Sequence, residues 1–172
     1  GVIFSLLFYL DRTSQPSVLT VVPNPEHSNR VFLNINKLDQ QECPQLKIIR
    51  IDGSLYFGAV DHITKTLDTL RKDNQKNLLL IGSGINHLDQ EGASLLVNEA
   101  RLRKKMGGRL YISSLKNKML ELALSGYIEE LGKENVFRTK KDAINQIYTR
   151  LDPLVCDDCT ARIFFECERK EI

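Results

Sequence analysis

The sequence has no strong excess of either charge. Lys and Arg number 24 against 22 Asp and Glu, a formal net charge of +2, so no overall field selects nucleic acid as a partner. Neither a polybasic tail nor an acidic segment is present. Cysteine is scarce: four in 172 residues, unevenly spaced, do not build a disulfide scaffold, and a chain of this size does not need one. That favours a reducing compartment. Histidine is scarcer still, with three residues, His27, His62 and His87. None lies in a nucleophile elbow or at metal-type His spacing, so no hydrolytic triad and no enzymatic role are expected. The phosphate-cradling motifs GxGxxG and GxxxxGKS/T are absent. Internal repeats and low-complexity segments are absent too. What remains is 42% apolar, 27% charged and 7% aromatic, the profile of one globular domain able to bury a core.

Long apolar runs are missing, with one partial exception. Gly1–Leu10 carries no charged side chain and ends at Asp11-Arg12. As a helix it extends roughly 15 Å at ~1.5 Å per residue, about half of a ~30 Å hydrocarbon core. No basic stretch within it and no small-residue cleavage site after it match a secretory signal, so none is expected here. With no initiator Met, the chain reads as a fragment beginning inside the last part of a membrane helix. The alternative is an N-terminal strand or helix packed on the core.

Arg12–Gln45 holds Pro16, Pro23, Pro25 and Pro44, the pattern of a connector carrying short strands near Val18–Val22 and Val31–Ile35. From Leu46 the pattern becomes regular. Leu46–Ile51 predicts a strand, and Asp52-Gly53 predicts a turn toward a second short strand at Leu55–Phe57. Val60, Ile63, Leu67 and Leu70 fall at helical spacing. Leu78–Ile81 reads as a strand covered on both faces. A helix is expected from near Asp89 to Met106, stopped by Gly107-Gly108, then a strand at Leu110–Ile112. Ser113 or Ser114 is expected to cap a short helix burying Met119, Leu120, Ala123 and Leu124. A brief strand at Asn135–Phe137 precedes a capping box, Thr139–Asp142, that opens a last helix ended by Pro153. Strands alternating with helices imply an α/β fold, a mostly parallel central sheet with helices packed against it.

Few places invite chemistry. The turn Ser83-Gly84 and loop Asn86, His87 lead into a helix start, where free N–H groups favour anions. Asp89 and Glu91 already place carboxylates there, so a phosphate is repelled. Ser113, Ser114 and Lys116 form the better anion candidate, with plain N-capping as the alternative. Arg101, Arg103, Lys104 and Lys105 end a helix and read as a solvated basic terminus, or else as a contact for anionic lipid or an acidic partner. Cys156-x2-Cys159 followed by Cys167 has plausible zinc spacing, and Cys43 can supply a fourth ligand. Asp157-Asp158 between the pair raises a thiol pKa. Structural zinc, a redox pair and ordinary reduced thiols all remain open, and no other cofactor is expected.

At this point the residues carry a resemblance. Leu78–Tyr127 resembles a STAS domain, the fold shared by anti-sigma-factor antagonists and the cytoplasmic ends of SulP (sulfate permease) anion transporters. Leu6-Leu-Phe-Tyr-Leu-Asp-Arg-Thr-Ser-Gln-Pro16 resembles the exit of the last SulP transmembrane helix. Arg50-Ile-Asp-Gly-Ser-Leu-Tyr-Phe57 resembles the strand leading to the first helix. Asp89-Gln-Glu-Gly-Ala93, Glu99-Ala-Arg101 and Met106–Tyr111 resemble the signature helix and the strand after it. The cysteine tail, with Arg162-Ile-Phe164, is similar to one in a bacterial SulP subgroup. In the antagonists the residue before the signature Gly92 position is a phosphorylated serine. Here it is Glu91, preceded by Gln90, so the phospho-switch does not carry over. Glu91 supplies one negative charge at that position.

The resemblance implies residues 1–15 as the end of a transmembrane helix, 16–45 as connector, 46–152 as the STAS core and 153–172 as the cysteine tail. It implies a non-enzymatic, cytoplasmic regulatory or assembly domain of a plasma-membrane anion transporter of the sulfate, bicarbonate or dicarboxylate class. Its partners would be the transmembrane portion of the same polypeptide and a regulatory protein, in a dimeric parent contacting the membrane through its N-terminal segment. Ser83, Gly84, Asn86, His87, Asp89, Gln90, Glu91 and Gly92 become the candidate partner or nucleotide contact. The alternatives are a free-standing signalling module and a nucleotide-binding regulator.

Overall fold

The computed structural model describes residues 1–25, 31–37, 39–73, 75–117, 126 and 128–168. Its strands are β1 (Ser17–Pro23), β2 (Phe32–Asn34), β3 (Leu46–Leu55), β4 (Asn77–Ile81), β5 (Ile85–Leu88), β6 (Leu110–Ser113) and β7 (Val136–Phe137). The helices are α1 (Val2–Ser14), α2 (Val60–Lys72), α3 (Gln90–Lys105), α4 (Ile128–Leu131), α5 (Lys140–Tyr148), α6 (Pro153–Asp157) and α7 (Phe165–Glu168). The sheet order is β2-β1-β3-β4-β6-β7, with β5 beside the far end of β3. β1 pairs antiparallel with β2 and β3, while β3–β4, β3–β5, β4–β6 and β6–β7 are parallel. The expected mostly parallel α/β sheet is therefore present, with an antiparallel edge supplied by the proline-rich connector.

Side chains alternate across each strand, so a sheet covered on both sides needs apolar residues at every position of its central strands. Leu78–Ile81 meets that demand. Leu78 and Leu80 join Ile49, Ile51, Leu110 and Ile112 on one face, packed under Ile63 and Leu67 of α2 and Leu96 and Ala100 of α3. Leu79 and Ile81 join Ile48 and Tyr111 on the other, under Ala143, Ile144 and Ile147 of α5. Phe164, between α6 and α7, completes that second face, with Cys156 and Cys167 packed against it. The expected cap of α3 is also present. Gly107 takes φ +77°, its N–H reaching Lys104 O at 3.0 Å and that of Gly108 reaching Arg103 O at 2.9 Å, which satisfies carbonyls the helix leaves open.

The structure departs from sequence expectation in several places. Asp52-Gly53 does not turn the chain: β3 runs through it to Leu55. Gly53, at φ +130°, absorbs a register shift that lets β3 exchange β4 for β5 as its neighbour, a bulge that a Cβ would bring within 2.9 Å of Pro16. The segment after Gly84, expected as loop, is β5. Pro153 does not end the expected last helix, which already stops at Tyr148. It opens α6, where Asp152 caps by accepting from Leu154 N–H at 2.9 Å and the missing proline N–H costs nothing. The basic end of α3 is not wholly solvated, because Arg103 is fully buried and donates to the buried Glu99 at 2.7 Å. Arg71 of α2 reaches the same carboxylate and Asp68, so the two helices share a paired, largely dry ionic joint. His27 and the expected helix containing Met119, Leu120, Ala123 and Leu124 lie outside the described residues. His62 is half-buried on α2 and His87 is exposed on β5.

α1 stands apart. Its Val2, Ile3, Phe4, Leu6, Leu7, Phe8 and Tyr9 are exposed. No helix among the described residues is long and apolar enough to cross a membrane.

Candidate functional site

Parallel strands deliver their carboxyl ends to one edge, and loops leaving that edge are where α/β sheets present their functional groups. Here β4 leaves through Gly82-Ser83-Gly84. Gly82 N–H donates to Ser113 O at 2.8 Å, Ile85 N–H to Gly82 O at 3.0 Å and Gly53 N–H to Gly84 O at 3.0 Å. Gly84 must be glycine, since a Cβ would lie 2.7 Å from Ile51 O and against the Asp52 carboxylate. Asp52 is itself held by Arg50 at 2.7 Å.

Asp89 then ties three elements together. Its Oδ1 accepts from Gly92 N–H at 2.8 Å, capping α3, and its Oδ2 accepts from Phe57 N–H at 3.0 Å. Its own N–H donates to Leu55 O at 3.1 Å. Burial pushes the Asp89 carboxyl up, but N–H donors of Gly92, Phe57 and Glu91, with His87 nearby, outweigh it and hold the pKa below its usual 3.8. Gly92 lets α3 sit directly on β3, because a Cβ would stand 2.5 Å from Leu55 O. The expected signature residues divide accordingly. Gly84, Asp89 and Gly92 build the frame, while Ser83, Asn86, His87, Gln90 and Glu91 are exposed on it.

The second candidate does not assemble as an anion cradle. Ser113 ends β6 fully buried instead of capping a helix, and its Oγ has no hydrogen-bond partner among the described residues. Ser114 takes the left-handed φ +60°. Lys116 Nζ donates to Asn86 Oδ1 at 2.9 Å, so its cation belongs to the signature edge. Phe57 was not singled out in the sequence. It is 77% exposed directly beside Asp89, and the only sequence signal was an aromatic next to Gly58 just before a helix.

The four cysteines form no disulfide among the described residues. They line one pocket with Gln45 and Phe164, although they are far apart in sequence. No group of three or more His, Cys, Asp or Glu among the described residues is arranged to hold a metal ion. Chemically, the signature edge is a rigid, exposed polar surface with one protruding aromatic ring. Rings of this kind anchor protein contacts, and carboxylates at the start of α3 disfavour phosphate there.

Residues 35–143 match the STAS domain family. Over 138 residues the chain is 25% identical to the putative sulfate transporter YvdB of Bacillus subtilis, covering 80% of this chain and 24% of that protein. The chain thus spans about a quarter of the length of that curated relative. The fold is also that of murine Slc26a9, an anion transporter, in its inward-facing state, with TM-score 0.71 and 21% identity over 87% of this chain and 25% of that one. An anti-sigma factor antagonist from Mycobacterium paratuberculosis shares it at TM-score 0.54 and 13% identity, over 77% of this chain and 95% of the other. With the matched residues spanning β3 through the opening of α5, this chain belongs to the STAS domain family.

Proposed function

We propose that the chain is the regulatory or assembly domain of a SulP-type anion transporter, held on the cytoplasmic side of the plasma membrane and acting through protein contacts, with no catalytic step of its own. The observation that carries this reading is α1. An exposed apolar helix ends at Ser14, and β1 of the STAS sheet begins at Ser17. A globular domain gains nothing from such a helix in water, because its burial is worth about 25 cal/mol per Å² of apolar surface. As the last turns of a membrane helix, α1 would place the sheet directly at the bilayer surface. The proposed cargo is an anion of the sulfate, bicarbonate or dicarboxylate class, and likeness to the putative sulfate transporter YvdB of Bacillus subtilis supports sulfate among these. The membrane portion of the same polypeptide and a regulatory protein are the partners proposed, within a homodimeric parent.

The test is deletion of residues 46–152 from the parent chain, followed by anion uptake, detergent-extracted oligomer size and membrane level. A loss in any of these is expected. All three unchanged would refute the proposal.

The likeness to an anti-sigma factor antagonist favours a second reading, a free-standing signalling module. Glu91 in place of a phosphorylatable serine removes that class's switch, and a soluble module has no use for α1. A nucleotide-binding role is weaker still. Calorimetry with purine nucleotides at millimolar concentration is expected to show no heat, and a saturable heat abolished by Lys116→Ala would revive it.

A further inference from the structure

The four cysteines lie outside the signature edge, in a place the transporter reading does not use. Cys43 precedes β3, whereas Cys156, Cys159 and Cys167 belong to the tail, yet all four line one apolar pocket with a free volume of about 10 Å³. That space is too small for an organic ligand. Gln45 holds the two segments together. Its Nε2 donates to Asp152 O at 2.9 Å, its Oε1 accepts from Asp152 N–H at 2.8 Å, and Nε2 also donates to Cys156 Sγ at 3.2 Å. Cys159 N–H donates to Cys156 O at 3.3 Å, so the two cysteines bound a single hydrogen-bonded turn. Such turns bring their end Cα atoms within ~7 Å, which overlaps the ~4.4–6.8 Å a disulfide spans.

We propose that Cys156 and Cys159 are a redox-active dithiol, converted by hydrogen peroxide into a disulfide beside the joint between tail and sheet. The Cys156 thiol gives up its proton, the thiolate attacks one peroxide oxygen, the O–O bond breaks, and the departing hydroxide takes up that proton as water, leaving a sulfenic acid. The Cys159 sulfur then displaces that oxygen as a second water and forms the S–S bond. One peroxide and two thiols become one disulfide and two waters. Donation from Gln45 Nε2 to Cys156 Sγ at 3.2 Å fixes the position of that sulfur, and Cys156 is therefore taken as the attacking residue. Cys43 and Cys167 are spectators. Burial pushes the Cys43 thiol up to about 11 and raises that of Cys167 as well, and a protonated thiol is a poor nucleophile.

Peroxide titration of the folded full chain, followed by thiol counting and peptide mapping, tests the proposal. The expected result is a fall from the four thiols of the reduced chain to two, with one Cys156–Cys159 bridge that dithiothreitol reverses. Cys159→Ser, a partly exposed position, is expected to keep the fold and stop at a sulfenic acid trapped by dimedone on Cys156. Gln45→Ala is expected to slow bridging severalfold. Four thiols persisting at peroxide levels that oxidise the urea-unfolded chain would overturn the proposal. A bridge between other cysteines, or stoichiometric zinc carried by the chain purified without chelator, would overturn it equally.

Discussion

Asp89 is the residue on which the signature edge turns. It caps α3 and holds Phe57 N–H, so Asp89→Ala removes a cap worth about 0.5–2 kcal/mol and leaves a second donor to water. The expected result is a loss of about 1–3 kcal/mol of unfolding free energy at neutral pH, read as a lower urea midpoint. The sign with pH follows from its carboxyl, whose folded pKa lies below the unfolded 3.8. The stabilisation is whole above that value and disappears as pH falls through the folded one. Asp89→Asn is therefore expected to flatten the acid limb of stability against pH below about 4, measured by denaturant midpoints. That a helix starts near Asp89 was legible from sequence, because a carboxylate just before an apolar helical pattern is a local signal. Ser113 was not, since a serine suits a helix start and a strand end equally. Its burial with no hydrogen-bond partner among the described residues makes Ser113→Ala neutral or stabilising by up to about 1 kcal/mol. A drop in thermal midpoint would show that the hydroxyl has a role. Phe57 was illegible for a different reason, because exposure of an aromatic depends on what the fold leaves uncovered.

At the scale of elements, the strands and helices with a clear period were legible, and those built on glycine were not. α2, α3, β4 and β6 announce themselves through apolar spacing. β5 does not, because its Asn86 and His87 are exposed and only Ile85 and Leu88 are buried, too short a pattern to separate from loop. The straight course of β3 depended on Gly53 making a bulge where Asp-Gly more often makes a turn. The seat of α3 on β3 depends on Gly92 in the same hidden way. Gly92→Ala forces a Cβ against Leu55 backbone, and overpacking of this kind costs about 1–3 kcal/mol. It is expected to lower the denaturant midpoint while weakening amide-exchange protection in β5. The tail is likewise more than an appendage. The family match ends at residue 143, yet Phe164 beyond it is only 5% exposed and belongs to the second core face. Phe164→Ala is expected to cost about 3 kcal/mol. A cost near zero would show that the tail rests on the sheet without sharing its core.

For the molecule as a whole, composition and motif absences pointed away from catalysis, and the resemblance supplied the fold that spacing alone had narrowed only to α/β. The grouping of Cys43 with the three tail cysteines was legible as a candidate ligand set, and the fold brings all four to one pocket; their packing in an apolar space was not, because Cys43 and the tail meet only through the folded sheet. In the proposed function α1 carries the contact with the membrane. Polar replacement of Phe4, Leu7 and Phe8, all exposed, is expected to leave the thermal midpoint of the domain unchanged while abolishing its flotation with lipid vesicles. The most direct test of the central claim is the sequence encoded immediately upstream of Gly1. The expected result is a continuous reading frame with several apolar segments of about 20 residues, the last of them running into α1. A start codon directly before Gly1 would contradict the transporter assignment.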